Sequence, residues 1–159
     1  MSIRVIAVGK LKERYLSEGV EEYLKRLRPY ARVEIVEVAE EPLGKSASPA
    51  DETLARQREA GRIFDHIRPH SYCIALDREG VALSSEELSA ALEKAMLSGM
   101  SDIAFVIGGS TGLATEVINK ADMRLSFSRM TFPHGLMRVI LLEQIYRAFK
   151  ILRGETYHK

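Results

Sequence analysis

Apolar and polar positions along this chain switch repeatedly between a two-residue and a helical period. Residues 3–8, Ile-Arg-Val-Ile-Ala-Val, alternate and are β-branched before Gly9, which predicts a first strand closing in a turn. Residues 10–15 follow as the loop and helix entrance, and Leu16, Val20, Tyr23, Leu24 and Leu27 recur at helical spacing before Pro29. A second strand is expected over 33–38. Residues 39–50, with two prolines, Gly44 and two serines, are expected as a mobile loop. Ser48, Pro49 and Asp51 then make a helix start, with a side-chain cap, a proline in the first turn and a carboxylate at the positive end of the dipole.

That helix is expected to reach about Ile67. Residues 72–76 show no alternation, so they predict a strand buried on both faces, with Asp77-Arg78-Glu79-Gly80 as its turn. Ser84 and Glu87 form a capping box opening a helix to about Leu97, closed by Gly99. A very apolar strand at 103–107, a short helix at 114–119, a strand at 123–127 and a long helix at 135–152 complete the chain. Strands alternating with helices predict an α/β fold, a mainly parallel sheet with helices on both faces.

The last helix changes the picture from fold to assembly. At 100° per residue Glu143, Gln144, Arg147 and Lys150 share a sector, but Ile140 and Ile151 fall inside it, and Arg138 lies opposite among Leu142, Ile145 and Phe149. A helix apolar almost all round would leave a bare flank on a small domain, so a homodimer is expected. Arg138 on an apolar face requires an anionic or carbonyl partner, either a structural salt bridge or a substrate group.

With 159 residues, 46% hydrophobic and 28% charged, the chain is expected to be one soluble domain spanning 1–159. No run of about 18 apolar residues is present, so the default expectation is a cytoplasmic protein. The single Cys73 precludes an intrachain disulfide and is expected as a buried thiol. A net charge of +1 hides an asymmetry: residues 129–159 carry +4 and residues 1–128 carry −3. A basic end beside a nearly neutral body suits a local anionic partner.

Phosphate-loop, dinucleotide, zinc-protease and nucleophile-elbow motifs are all missing, and the four histidines make no ligand set with Cys73. No metal is therefore expected. What remains is Gly108-Gly109-Ser110-Thr111-Gly112 at the carboxyl end of a buried strand, where open α/β sheets bind ligands and glycine lets a ligand approach the backbone. A second loop, residues 127–132, alternates apolar side chains with small hydroxyls and one arginine, which suits a ligand with an aromatic ring and a polar tail.

Residues 105–112, Met130-Thr131-Phe132-Pro133-His134, Glu143-Gln144-Ile145-Tyr146-Arg147-Ala148 and the final Tyr157-His158-Lys159, in this order, resemble the SPOUT superfamily of ribosomal RNA methyltransferases over essentially the whole length. The resemblance implies an α/β knot with a C-terminal trefoil, against the general rule that chains do not thread loops. It also implies a homodimer that uses S-adenosyl-L-methionine to methylate N3 of a pseudouridine in 23S rRNA of the assembled ribosome. By position it implies cofactor contacts at Leu76, Gly108, Phe127, Ser128, Arg129, Met130, Thr131 and Phe132. Methyl transfer would be direct, most of the rate coming from positioning. Help in losing the N3 proton, or in orienting the uracil ring, is expected from His134, Arg138, Tyr157 and His158, the tail pair reaching the other subunit's pocket. Two other readings fit the composition: a nucleotide-binding module without catalysis, and a non-enzymatic ribosome-associated dimer.

Overall fold

The computed structural model describes residues 1–157. Its elements run β1 (Ser2–Val8), α1 (Arg14–Leu27), β2 (Arg32–Val38), α2 (Pro49–Phe64), β3 (Tyr72–Ala82), α3 (Ser85–Leu97), β4 (Asp102–Ile107), α4 (Thr115–Lys120), β5 (Met123–Ser126) and α5 (His134–Leu152). The five strands form one sheet in the order β2-β1-β4-β3-β5, and every pairing is parallel. Their carboxyl ends therefore share one edge, and the loops that leave them are neighbours.

The period-two alternation of β1 and β4 divides the core into two layers. Ile3, Val5, Ala7, Ile103, Phe105 and Ile107 pack with Leu92, Leu141, Leu142 and Ile145, while Ile6, Val8, Ala104 and Val106 pack with Ala60, Ile63 and Val117. Helices α1, α3 and α5 thus cover one face and α2 and α4 the other, as a parallel sheet buried on both sides requires. Each fully buried Ile or Leu contributes roughly 1.5–3 kcal/mol.

Both helix starts read from the sequence form as capping boxes: Ser48 accepts from the Asp51 N–H, and Ser84 from the Glu87 N–H. Helix α2 stops at Phe64, earlier than its pattern suggested, because His66 and Ile67 bond back to Ile63 and Phe64 in tight turns. The loop before α2 is tethered, since Glu41 pairs with both Arg58 and Arg62 at 2.7 Å. Cys73 is buried, and burial, with Asp122 nearby, pushes its thiol up to about 11, so it stays protonated near neutrality.

Strand β3 continues past its expected end. Leu76 and Val81 both pair with Leu125, so residues 77–80 leave the ladder and the strand then resumes. Gly80 is needed there, because a Cβ would stand 2.7 Å from the Arg124 carbonyl carbon. Among the described residues no helix is long and apolar enough to cross a membrane.

Candidate functional site

Three segments converge beyond the carboxyl ends of β3, β4 and β5: the excursion at 77–80, the glycine turn at 108–112 and the loop at 127–133, with the first turn of α5 behind them. Between them lies an open cleft of about 930 Å³. A smaller cavity of about 290 Å³ beneath the loop before α2 is separate from it.

The glycine turn is tight. A Cβ on Gly108 would lie 2.7 Å from the Gly112 carbonyl carbon, and Gly112 has a φ of +85° that L side chains disfavour. The turn is held from outside by Glu40, which accepts from the Ser110 N–H at 3.2 Å and its hydroxyl at 2.9 Å. Arg56 adds a bond to the Thr111 carbonyl at 3.3 Å. Beneath Gly109 lies Glu59, only 3% exposed, with one carboxylate oxygen unpartnered; burial raises its pKa.

The second loop is ordered by its own hydroxyls. Ser128 accepts from the Met130 N–H at 3.0 Å, and Arg78 donates to the Thr131 hydroxyl at 2.8 Å, tying this loop to the β3 excursion. Asp77 accepts from Arg124 at 3.0 Å and closes the same side. The cleft wall is consequently apolar at Leu76, Leu113, Phe127 and Phe132, with Ser128 and Thr131 between. Apolar faces with a few placed hydroxyls and open backbone groups can hold a planar heterocycle and its polar tail.

Of the cofactor positions expected from the sequence, Leu76, Gly108, Phe127, Ser128, Met130, Thr131 and Phe132 all line the cleft. Arg129 is exposed and does not line it. His134 lines the cleft from the start of α5. The pattern of residues alone missed Arg78 and the rest of the β3 excursion, which read as a turn; its place at the end of a parallel strand was the available signal.

Arg138 is in the interior, 1% exposed, and not in the cleft. It donates to Glu37 Oε2 at 2.6 Å and to the Gly9 carbonyl at 2.6 Å. Burial alone would raise the Glu37 pKa, but the Arg138 guanidinium and the Leu11 N–H together hold it below the ordinary value.

Tyr157 lies against the far part of α5. Its ring packs edge-on against Tyr146 at 4.9 Å, under the Arg147 guanidinium at 4.7 Å, and its hydroxyl donates to Glu143 at 3.1 Å. Burial, with Tyr23 and Glu143 nearby, pushes it up to about 12. Glu143 stands nine residues beyond His134, about 13 Å along the helix axis. Tyr157 therefore does not meet the cleft of its own chain. His158 lies outside the described residues. Among the described residues no group of three or more His, Cys, Asp or Glu is arranged to hold a metal ion.

A family model described as "Predicted SPOUT methyltransferase" matches residues 1–158. The chain is 55% identical to the ribosomal RNA large subunit methyltransferase H of Carboxydothermus hydrogenoformans, over 100% of both chains. It is 56% identical to the protein of the same name from Moorella thermoacetica, over 100% of this chain and 99% of that one. Among solved structures, a probable methylase family protein from Haemophilus influenzae matches with a TM-score of 0.55 at 14% identity, covering 99% of this chain and 70% of that chain. A probable methyltransferase from Bordetella pertussis matches at 0.54 and 15%, covering 92% and 95%. At such identities these two show the fold alone.

Proposed function

Since the chain belongs to the SPOUT methyltransferase family, we propose that it is an S-adenosyl-L-methionine-dependent enzyme methylating N3 of a pseudouridine in 23S rRNA of the assembled ribosome. The observation that carries this reading is the cleft itself. Seven of the eight expected cofactor positions, drawn from three separate segments, line one opening at the carboxyl edge of the sheet. In this reading residues 1–159 are one SPOUT domain. The crowded backbone at Gly80 against Arg124 supports a C-terminal segment threaded tightly past the β3 excursion, as a trefoil crossing would need.

The cleft has the chemistry for the cofactor: Leu76, Phe127 and Phe132 offer apolar faces to an adenine, and Ser128 and Thr131 offer hydroxyls to its polar groups. When bound there, the cofactor supplies an electrophilic methyl group on a sulfonium. The chain's own residues bind and orient. The glycine turn, braced by Glu40 and Arg56, presents backbone groups with little reorganisation, so positioning supplies much of the rate. His134 lines the cleft, where an imidazole nitrogen can act as acceptor for the proton lost from N3.

Arg138 acts in this reading through what it holds, as its Nη1 and Nη2 are engaged by Glu37 and Gly9. Tyr157 and His158 serve the pocket of a second copy, a role that the docking of Tyr157 on the far part of its own α5 supports. A homodimer is also supported by the half-buried apolar residues Ile140 and Ile151 on α5.

The test is methyl incorporation from labelled S-adenosylmethionine into purified ribosomes lacking the modification, with the product nucleoside identified by mass. A single methyl on N3 of one 23S rRNA pseudouridine is expected. Cofactor binding without incorporation into ribosomes would instead favour a non-catalytic module.

A further inference from the structure

Beside the cleft is a surface that the reaction above does not use, the segment joining β1 to α1. Gly9, at a φ of +89°, turns the chain out of the sheet, and a Cβ there would stand 3.5 Å from His134 Nε2. The segment therefore leaves the core directly against a cleft-lining imidazole. Its inner side is fastened in three ways. Leu11 and Leu16 pack at 2.9 and 3.0 Å from where a Gly135 Cβ would be, Arg138 donates to the Gly9 carbonyl at 2.6 Å, and the Leu11 N–H donates to Glu37 at 2.8 Å.

Its outer side is free. Lys10, Lys12, Glu13, Arg14 and Tyr15 are all exposed, three cations against one carboxylate, and Arg14 is engaged by Glu18 at 2.7 Å. No hydrogen bond or ion pair among the described residues ties down the side chains of Lys10, Lys12 or Tyr15. Tyr15 is 69% exposed and is the one aromatic among the large exposed apolar side chains of the described residues. An exposed ring flanked by two lysines that no hydrogen bond or ion pair among the described residues holds, on a segment anchored to the core, matches the chemistry that holds single-stranded RNA: stacking on the ring and cations on the phosphates.

We infer that residues 10–15 form a docking lip for the RNA strand, Tyr15 stacking on an unpaired base next to the target while Lys10 and Lys12 meet the flanking phosphates. The lip rests on the ribosomal RNA reading above and adds a residue-level contact to it. It also gives the pair of buried Arg138 and partly exposed Glu37 a positioning duty, because both ends of that pair hold the lip's inner side.

The experiment uses the full-length chain with ribosomes as substrate, and reads kcat and KM, cofactor affinity by calorimetry, and mass by sedimentation. Tyr15→Ala should raise the KM for ribosomes roughly 5- to 150-fold, the range for loss of one stacked base, with Tyr15→Phe restoring it. Lys10→Ala and Lys12→Ala should each flatten the dependence of log kcat/KM on log salt by about one. Cofactor affinity and mass should match the wild type. A Tyr15→Ala protein with an unchanged KM overturns the lip, as does one whose mass falls, since the ring would then belong to an interface between copies. Wild-type protein that binds the cofactor but methylates no ribosomes overturns the underlying reading and the lip together, so the two failures are distinct.

Discussion

Arg138 and Glu37, 101 positions apart in the chain, meet at 2.6 Å with the guanidinium 1% exposed and the carboxylate side chain 40% exposed. The pair joins α5 to β2 and, through the Gly9 carbonyl and the Leu11 N–H, to the start of the β1–α1 segment. Glu37→Ala leaves the buried guanidinium with carbonyl partners only. The expected loss is about 2–3 kcal/mol, below that for a fully buried pair because Glu37 is partly hydrated. Arg138→Met, which removes the charge itself and refills the space, should cost less. Urea unfolding of the two variants gives the order, and the reverse order would show that the carbonyl bonds of Arg138 dominate. The same pair sets an acid limit. Glu37 has a pKa below its reference value of 4.5, so its contribution is complete above that value and is lost as pH falls through the lower folded one. The stability gap between wild type and Glu37→Gln should accordingly close on acidification.

Glu59 has the opposite sign. Its ionised form is disfavoured by burial, so stability falls as pH rises from 4.5 through the raised folded pKa. Glu59→Gln keeps an acceptor for the Glu41 N–H and offers a donor where one oxygen is now unpartnered. It should gain roughly 1 kcal/mol at neutral pH. Thermal unfolding against pH checks this: the gain should vanish below about pH 4.5, and a variant less stable than wild type at pH 7 would contradict it.

Gly108→Ala places a methyl group 2.7 Å from the Gly112 carbonyl carbon. Backbone cannot move aside as a flexible side chain does, so the turn must open. Cofactor affinity should fall about tenfold or more, equivalent to at least ~1.4 kcal/mol. Calorimetry with S-adenosylmethionine measures it, with circular dichroism confirming that the sheet is retained.

Deleting residues 157–159 should abolish methyl transfer to ribosomes while leaving cofactor affinity nearly unchanged. Tyr157 touches Glu143, Tyr146 and Arg147 and none of the cleft wall. Mixing the deleted chain with a chain carrying Gly108→Ala tests action between copies: recovered turnover in mixed dimers is the expected outcome, and its absence would place the tail's effect within one subunit.

Local patterns carried most of the element assignments. Ser48 and Ser84 cap where the spacing of hydroxyl and carboxylate said they would, because a capping box closes over four consecutive residues. The alternation of residues 3–8 decided which side chains of β1 face α5 and which face α2. Residues 77–80 were harder: turn-forming composition was visible, but the return of the chain to β5 depends on Arg124 and Leu125, more than forty positions later. The cofactor residues came from a resemblance of motifs, and spacing alone showed only a glycine turn at the end of a buried strand.

Chemical type and local period are properties of neighbours in the chain, so strands, caps, the buried thiol and the need of Arg138 for a partner could all be read there. Which partner it found could not. Glu37 and Gly9 become neighbours of Arg138 only when α5 packs across the sheet, and that same packing turns an arginine eligible for substrate into one buried against strand and loop. The meeting of the 77–80, 108–112 and 127–132 segments is likewise decided by a parallel sheet, which collects strand ends from distant sequence at one edge.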